Sequence, residues 1–169
     1  QMRRQEAAAA DCILGVRERI FLRKPNQDVP NDGPTYRECT RLIRALRPDV
    51  ILTHWEEDKH RDHRTVARLT DEARWKAWDH VLADLGEPWY TPELYYYELH
   101  ELFPHPSILV DITGTMERKL AAMAAMTSQL EVMARVVQCI KGLGAMRGFL
   151  RGTDHAEAFL GSNLMATLL

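Results

Sequence analysis

The sequence predicts an α/β layer sandwich, because helical patterns alternate along the chain with short apolar runs. The clearest run, DVILTH (49–54), is partly β-branched and has turn-rich flanks, which is typical of a buried parallel strand. A second run, SILVDI (107–112), has the same character. With 169 residues, no internal repeat and no linker, the chain is predicted to form a single domain over 1–169.

The first half of the chain carries four more elements. They are a helix over 1–14, a strand over 18–23, a loop over 24–34 and a helix over 35–48. Gly15 fits a C-cap for the first helix, and the three prolines of the next loop exclude regular structure there. The second helix places Leu42, Ile43 and Leu46 on one face, and Pro48 ends it.

The second half is predicted to contain three helices and two further strands. The helices are placed at 62–85, 115–129 and 130–150, and the strands at 93–99 and 154–161. Asp62 or Thr65 is expected to cap the first of these helices. The tyrosine-rich composition of 93–99 favours a strand, in which the rings serve packing or stack against a sugar.

Composition excludes several classes of function. A formal net charge of -2 gives no electrostatic reason to expect nucleic acid. No run approaches about 18 consecutive apolar residues, and no signal-peptide pattern is present, so we expect a cytoplasmic protein without a membrane span. Three widely spaced cysteines, Cys12, Cys39 and Cys139, are interpreted as small buried thiols in a reducing compartment.

Metal-capable and proton-capable side chains follow the strand at 49–54. Ligands of open parallel sheets bind beyond the carboxyl ends of the strands, so this region is the predicted site. His60 and His63 are three residues apart and would face the same side of a helical turn. Two imidazoles do not complete a catalytic zinc site, which takes about three protein ligands and a water. Asp62 has the alternative role of a helix cap, and His80, His100 and His105 are interpreted as surface or hydrogen-bonded structural residues.

Four segments, in the same order, resemble the LmbE-like or PIG-L family of zinc-dependent N-deacetylases. RPDVILTHWEEDKHRDHRTVARLTDEA (47–73) is similar to the family's RPDVVFTHHPEDxHPDHRA. The other three are RRQEAAAADCILGV (3–16), ILVDITGTMERKLAAMAAMTSQ (108–129) and RGFLRGTDHAEAF (147–159). Together they are spread over residues 3–159.

The resemblance implies a Rossmann-like three-layer sandwich with a mainly parallel sheet. It also implies hydrolysis of an N-acetyl group on a small-molecule GlcNAc-like amino sugar or its conjugate. Family zinc is held by a His and an Asp of an N-terminal AHPDD motif and by a third ligand that matches His63. By the same resemblance His60 stabilises the oxyanion, Asp62 orients a histidine, and Arg3 and Asn26 contact substrate.

Three departures from the family pattern affect these expectations. No AHPDD motif occurs in the sequence, so we expect the N-terminal strand-helix-strand part of the fold to lie outside the printed residues. Arg61 replaces a proline, which an exposed loop tolerates. PNQ (25–27) replaces PDG, so that Asn26 keeps a carbonyl acceptor but loses the charge.

Two alternatives remain beside the enzyme. The first is a catalytically inactive family member or fragment that acts as a binding or assembly module, without zinc, because one histidine rarely holds the ion alone. The second is an unrelated metallohydrolase that uses the HxDH pattern. An incomplete sheet would also favour a homo-oligomer.

Overall fold

The computed structural model describes residues 2–165, which contain six α-helices and four β-strands. The helices are α1 (Met2–Leu14), α2 (Gly33–Leu46), α3 (Arg61–Trp78), α4 (Met116–Ala124), α5 (Thr127–Val132) and α6 (Val136–Arg151). The strands are β1 (Val50–His54), β2 (Glu93–Tyr97), β3 (Ile108–Asp111) and β4 (Ala156–Gly161). This alternation confirms the predicted α/β class.

The four strands form one mixed sheet in the order β1-β2-β4-β3. β1 and β2 are parallel, and their register pairs His54 with Tyr97 at the carboxyl ends of both strands. β4 runs antiparallel to β2, so the expected parallel arrangement holds for the β1–β2 pair and not for this one. Val50 and Leu52 of β1 are 49% and 55% exposed, so that β1 is covered on only one face by the described residues.

The chain divides into two compact units. The first contains the residues up to Leu22 together with Leu109–Glu157. Within it, Glu6 of α1 is buried and accepts hydrogen bonds from the backbone N–H and hydroxyl of Ser128 at the start of α5. In α6, a Cβ added to Gly148 would lie 2.6 Å from the carbonyl oxygens of Thr153 and Asp154, so this close backbone approach requires glycine.

The second unit contains Arg23–Ile108 together with the residues from Ala158 onward. Its core includes Ile43 of α2 and Ala73 and Ala77 of α3, and the two alanines are fully buried. The small side chains allow α2 and α3 to approach closely. Partly buried hydrophobic residues pack against this cluster, namely Tyr36, Cys39, Ile51 and Trp89.

Arg44 of α2 determines where α3 ends. Its buried guanidinium donates hydrogen bonds to main-chain carbonyl oxygens of the end of α3 and of the following turn. The acceptors belong to Lys76, Ala77, Asp79, Val81, Leu82 and Gly86. Two of these acceptors belong to the last turn of α3 and four to the segment after it, so Arg44 satisfies carbonyls where α3 ends, at Trp78 and not at residue 85 as predicted.

Three further details differ from the sequence prediction. Residues 18–23 form no strand, because a strand needs a neighbour for its backbone hydrogen bonds, and here Arg19 instead pairs with Asp11. The helix expected over 130–150 begins only at Val136. Cys12 and Cys139 are exposed, contrary to the expectation of buried thiols.

The helices of residues 2–165 are too short or too polar for a bilayer. None of them has both the length and the apolar character needed to cross a membrane.

Candidate functional site at the start of α3

The predicted cluster lies where β1 ends and α3 begins. β1 ends at His54, a short loop follows, and His60 is the N-cap of α3. Nδ1 of His60 accepts a 3.2 Å hydrogen bond from the backbone N–H of Asp62. The cap is therefore His60, and the expectation that Asp62 or Thr65 caps this helix is wrong.

Four imidazole rings meet at this point. The ring of His63 lies 4.1 Å from that of His54 and 4.5 Å from that of His60, measured between centroids. The ring of His100, from the segment after β2, stacks on His63 at 5.2 Å with an interplanar angle of 2°. The structure thus brings together the two predicted residues, His60 and His63, and adds two histidines that were given no role.

Asp58 connects three of these histidines. It is 2% exposed, and its Oδ1 accepts a 2.7 Å hydrogen bond from the backbone N–H of His60. Its Oδ2 accepts the backbone N–H of His100 at 3.3 Å, and its Oδ1 lies 3.3 Å from Nδ1 of His63. Burial alone would raise the pKa of Asp58, but these contacts outweigh burial, so the pKa lies below its usual value. The group is therefore a carboxylate at neutral pH.

His54 and Tyr97 form a second pair at the carboxyl ends of the parallel strands. The hydroxyl oxygen of Tyr97 lies 3.1 Å from Nε2 of His54. Burial, followed by the proximity of His63, lowers the pKa of His54 to about 4, and burial raises the pKa of Tyr97 to about 12. Both side chains are therefore neutral at physiological pH, with the Tyr97 hydroxyl available as a donor.

Asp62 contributes through two different groups. Its carboxylate accepts the backbone N–H of Gln27 at 2.6 Å and that of Val29 at 3.2 Å, which holds the 24–34 loop against the start of α3. Its own N–H binds the ring of His60. Burial opposes ionisation, but the two backbone donors lower the pKa of Asp62 below its usual value. Asp62 thus fixes both a histidine and a loop.

The two predicted substrate contacts lie in different parts of the chain. Asn26 is exposed in the turn of the loop that Asp62 holds. Arg3 is exposed on α1, which belongs to the first unit, whereas the four histidines belong to the second. Both remain predictions for substrate binding.

Metal binding requires several donor side chains that lie close together. Within residues 2–165, no three His, Cys, Asp or Glu side chains come together in a way that could hold a metal ion. His63 is the predicted ligand. Its Nδ1 is buried without a well-directed hydrogen bond and faces the Asp58 carboxylate, an arrangement that leaves Nε2 for a metal. Residues 2–165 therefore contain no complete zinc site, and the ligand role of His63 remains a prediction.

A cavity of about 540 Å³ lies elsewhere in the second unit. Its lining includes Trp55, Arg68 and Asp71. Asp71 is already engaged, because its carboxylate accepts hydrogen bonds from the hydroxyls of Tyr96 and Ser162. Its polar group therefore serves the packing of α3 on the sheet.

Sequence analysis assigned no role to Asp58, only packing or sugar stacking to Tyr97, and only a surface or structural role to His100. Tyr97 could have been found, because parallel strands β1 and β2 place it opposite His54. Asp58 precedes His60 by two residues, a spacing at which a side-chain oxygen commonly accepts a backbone N–H. His100 carries no such local signal, since its contact with His63 spans 37 positions of the chain.

Comparison with known proteins places these observations in a family. The family model for PIG-L, GlcNAc-PI de-N-acetylase, matches residues 1–74, the part of the chain that includes β1, His60 and His63.

Three solved structures share the fold. The conserved protein TT1542 from Thermus thermophilus is 30% identical with a TM-score of 0.88, covering 99% of this chain and 74% of that one. GalB, the 4-carboxy-2-hydroxymuconate hydratase from Pseudomonas putida, is 24% identical with a TM-score of 0.83 over 99% and 74% of the two chains. N,N'-diacetylchitobiose deacetylase from Pyrococcus horikoshii is 23% identical with a TM-score of 0.82 over 95% and 63%.

GalB and the chitobiose deacetylase, both below 25% identity, establish only the common fold. The identity and coverage shared with TT1542, and the family match over the segment that carries the histidines, establish kinship. The chain belongs to the PIG-L (GlcNAc-PI de-N-acetylase) family.

Proposed function

We propose that this protein is a zinc-dependent N-deacetylase that removes an acetyl group from a GlcNAc-like amino sugar or its conjugate. The observation that carries the proposal is the pairing of His60 and His63 at the start of α3, directly after a parallel strand, in a PIG-L family chain. The shared fold with N,N'-diacetylchitobiose deacetylase supports the substrate class. The reaction is hydrolysis of an amide to acetate and a free amine.

In this proposal His63 would hold the metal through Nε2. A zinc ion held there would lower the pKa of a bound water and polarise the amide carbonyl. His60 donates a hydrogen bond from Nε2–H to the carbonyl oxygen as negative charge grows on it. Asp62 positions the His60 ring through its backbone N–H.

The substrate contacts follow from the same proposal. Asn26 presents its amide from the loop that the Asp62 carboxylate holds, and Arg3 provides a positive charge. We further propose that residues 1–169 belong to one deacetylase domain, that the protein acts in the cytoplasm on a small molecule without nucleic acid, and that copies of it self-associate.

The proposal is tested on the purified full chain. Zinc is measured by elemental analysis on the same sample as the intact mass, and acetate release is measured with N,N'-diacetylchitobiose and GlcNAc. About one zinc per chain and release of acetate are expected. The matched variants are His63→Ala, expected to lose both signals, and His80→Ala, an exposed histidine outside the cluster, expected to keep them.

Two outcomes would overturn the proposal. Absence of zinc, together with absence of acetate release after zinc is added, would favour a binding or assembly module. GalB demonstrates that this fold also carries a hydratase, so 4-carboxy-2-hydroxymuconate is included as a third substrate. Turnover of that compound alone would assign hydration instead of deacetylation.

A further inference from the structure

We propose that Asp58 is a positioning residue and that His60 and His63 are held in opposite neutral tautomers, with the proton on Nε2 of His60 and on Nδ1 of His63. The use of these tautomers in catalysis rests on the proposed function. The tautomers themselves follow from the hydrogen-bond partners of the two rings.

The tautomer of His60 follows from its contact with Asp62. A backbone N–H can only donate, and the N–H of Asp62 lies 3.2 Å from Nδ1 of His60. Nδ1 of His60 must therefore accept, and it carries no proton. In the neutral ring the proton is then on Nε2, which becomes a hydrogen-bond donor.

The tautomer of His63 follows from the opposite kind of partner. A carboxylate can only accept, and Oδ1 of Asp58 lies 3.3 Å from Nδ1 of His63. The contact is not a well-directed hydrogen bond, but an unprotonated Nδ1 would still place a lone pair beside the carboxylate in a buried position. Nδ1 of His63 therefore carries the proton, and Nε2 presents a lone pair.

Asp58 is held in place for this role from several sides. It is 2% exposed, and its two oxygens accept the backbone N–H groups of His60 and His100. Its orientation is therefore set by two chain segments and does not depend on His63. As a result, the carboxylate can impose a tautomer on His63 instead of following it.

Opposite tautomers give chemically different functions to two adjacent, similar side chains. Nε2 of His60 can donate to an oxyanion but cannot bind a metal, whereas Nε2 of His63 can bind a metal but cannot donate. The stacking of the two rings at 4.5 Å is common to both and cannot separate the roles. The two roles are separated by the backbone N–H of Asp62, which sets the tautomer of His60, and by the carboxylate of Asp58, which sets the tautomer of His63.

The test reads the tautomers directly. The full chain is labelled with ¹⁵N-histidine, and ring nitrogens are correlated with ring protons by NMR at pH 8, without metal or substrate. Resonances are assigned with His60→Ala and His63→Ala. We expect a protonated Nε2 in His60 and a protonated Nδ1 in His63. The same tautomer in both rings of the wild-type protein would overturn the inference.

Two substitutions separate positioning from simple packing. Asp58→Asn keeps one carbonyl oxygen for His60 N–H and His63 Nδ1–H, whereas its NH2 group replaces the acceptor of the His100 N–H, so the tautomer of His63 should be retained. Asp58→Ala removes the acceptor, and His63 should shift toward the Nε2–H tautomer. An unchanged His63 spectrum in folded Asp58→Ala would also overturn the inference, and if that variant does not fold, the wild-type spectrum decides.

Failure of this inference is distinguishable from failure of the proposed function. A protein with both expected tautomers that releases no acetate would refute the deacetylase proposal and leave the positioning role of Asp58 intact. A protein that releases acetate but has identical tautomers in both rings would refute only the positioning role.

Discussion

The backbone N–H of Gln27 donates a 2.6 Å hydrogen bond to Oδ2 of Asp62, which joins the 24–34 loop to the first turn of α3. This bond is formed while Gln27 has a φ of 62°, in the left-handed region that L residues adopt at a cost of about 1–2 kcal/mol. The loop that carries Asn26 is therefore held in a strained turn by a carboxylate at the centre of the predicted site.

Replacement of Gln27 by Gly should stabilise the protein. Glycine adopts this φ without steric cost, and after its larger entropy loss on folding we expect a gain of about 0.5–1 kcal/mol in the free energy of unfolding. Urea unfolding measures this gain in the free energy of unfolding. The matched control is Gln27→Ala, which keeps the Cβ and should change stability little. A lower stability for Gln27→Gly would contradict the assigned strain.

Replacement of Asp62 by Asn should loosen the loop. An amide can accept through only one of its two groups, so one of the N–H groups of Gln27 and Val29 loses its partner, at a cost of about 1–2 kcal/mol. Amide hydrogen exchange at these two residues should become about tenfold faster. Asn31→Ala, at an exposed position in the same loop, is the control and should leave this exchange unchanged.

Replacement of Arg44 by Met should destabilise the protein strongly. Several main-chain carbonyls at the end of α3 would lose their donor together, and we expect a loss of about 3 kcal/mol or more. Thermal or urea unfolding measures this loss. Arg41→Met, an exposed position on the same helix, should remain within about 0.5 kcal/mol of wild type. Equal effects of the two substitutions would argue against the role of Arg44.

Acid should remove the contribution of Glu6 to stability. Hydrogen bonds from the hydroxyls of Ser128 and Thr127, followed by the Ser128 N–H, lower the pKa of Glu6. A lowered pKa in the folded state means that the ionised form stabilises the fold above the unfolded pKa of about 4.3, and that this stability is lost as pH falls through the folded pKa. Wild type should therefore exceed Glu6→Gln in stability at pH 7, with the difference shrinking below about pH 4.

The control for that experiment is Glu131→Gln, an exposed carboxylate beyond the start of α5. The difference in stability between wild type and Glu131→Gln should not shrink as the pH falls. A difference between wild type and Glu6→Gln that grows as the pH falls would contradict the sign of the assigned shift.

Substitutions of the two central histidines should separate metal binding from turnover. His63→Ala should abolish zinc binding, because it removes the proposed ligand. His60→Ala should keep zinc and reduce turnover by about 10²–10³-fold, as the loss of an oxyanion donor does. Zinc content by elemental analysis and acetate release measure the two effects. Equal zinc loss in both variants would contradict the assigned roles.

Much of the local structure could be predicted from the sequence. Strand β1 and helix α2 follow from short-range patterns, and the structure confirms both within a few residues. The strand expected over 18–23 failed because strand formation depends on a partner that its own residues do not specify. The predicted length of α3 was wrong, because the sequence pattern does not show that Arg44, 17 positions before the first residue of α3, donates to the last carbonyls of this helix.

The sequence by itself determined the α/β class, the parallel strand that leads into the site and the spacing that places His60 and His63 on one turn. These are consequences of periodicity and chain order. Only the tertiary structure decided that Asp58 faces His63, that His100 stacks on it and that Asp62 holds a distant loop. Such contacts arise when burial forces polar groups from separate segments to satisfy one another, and no local pattern encodes them.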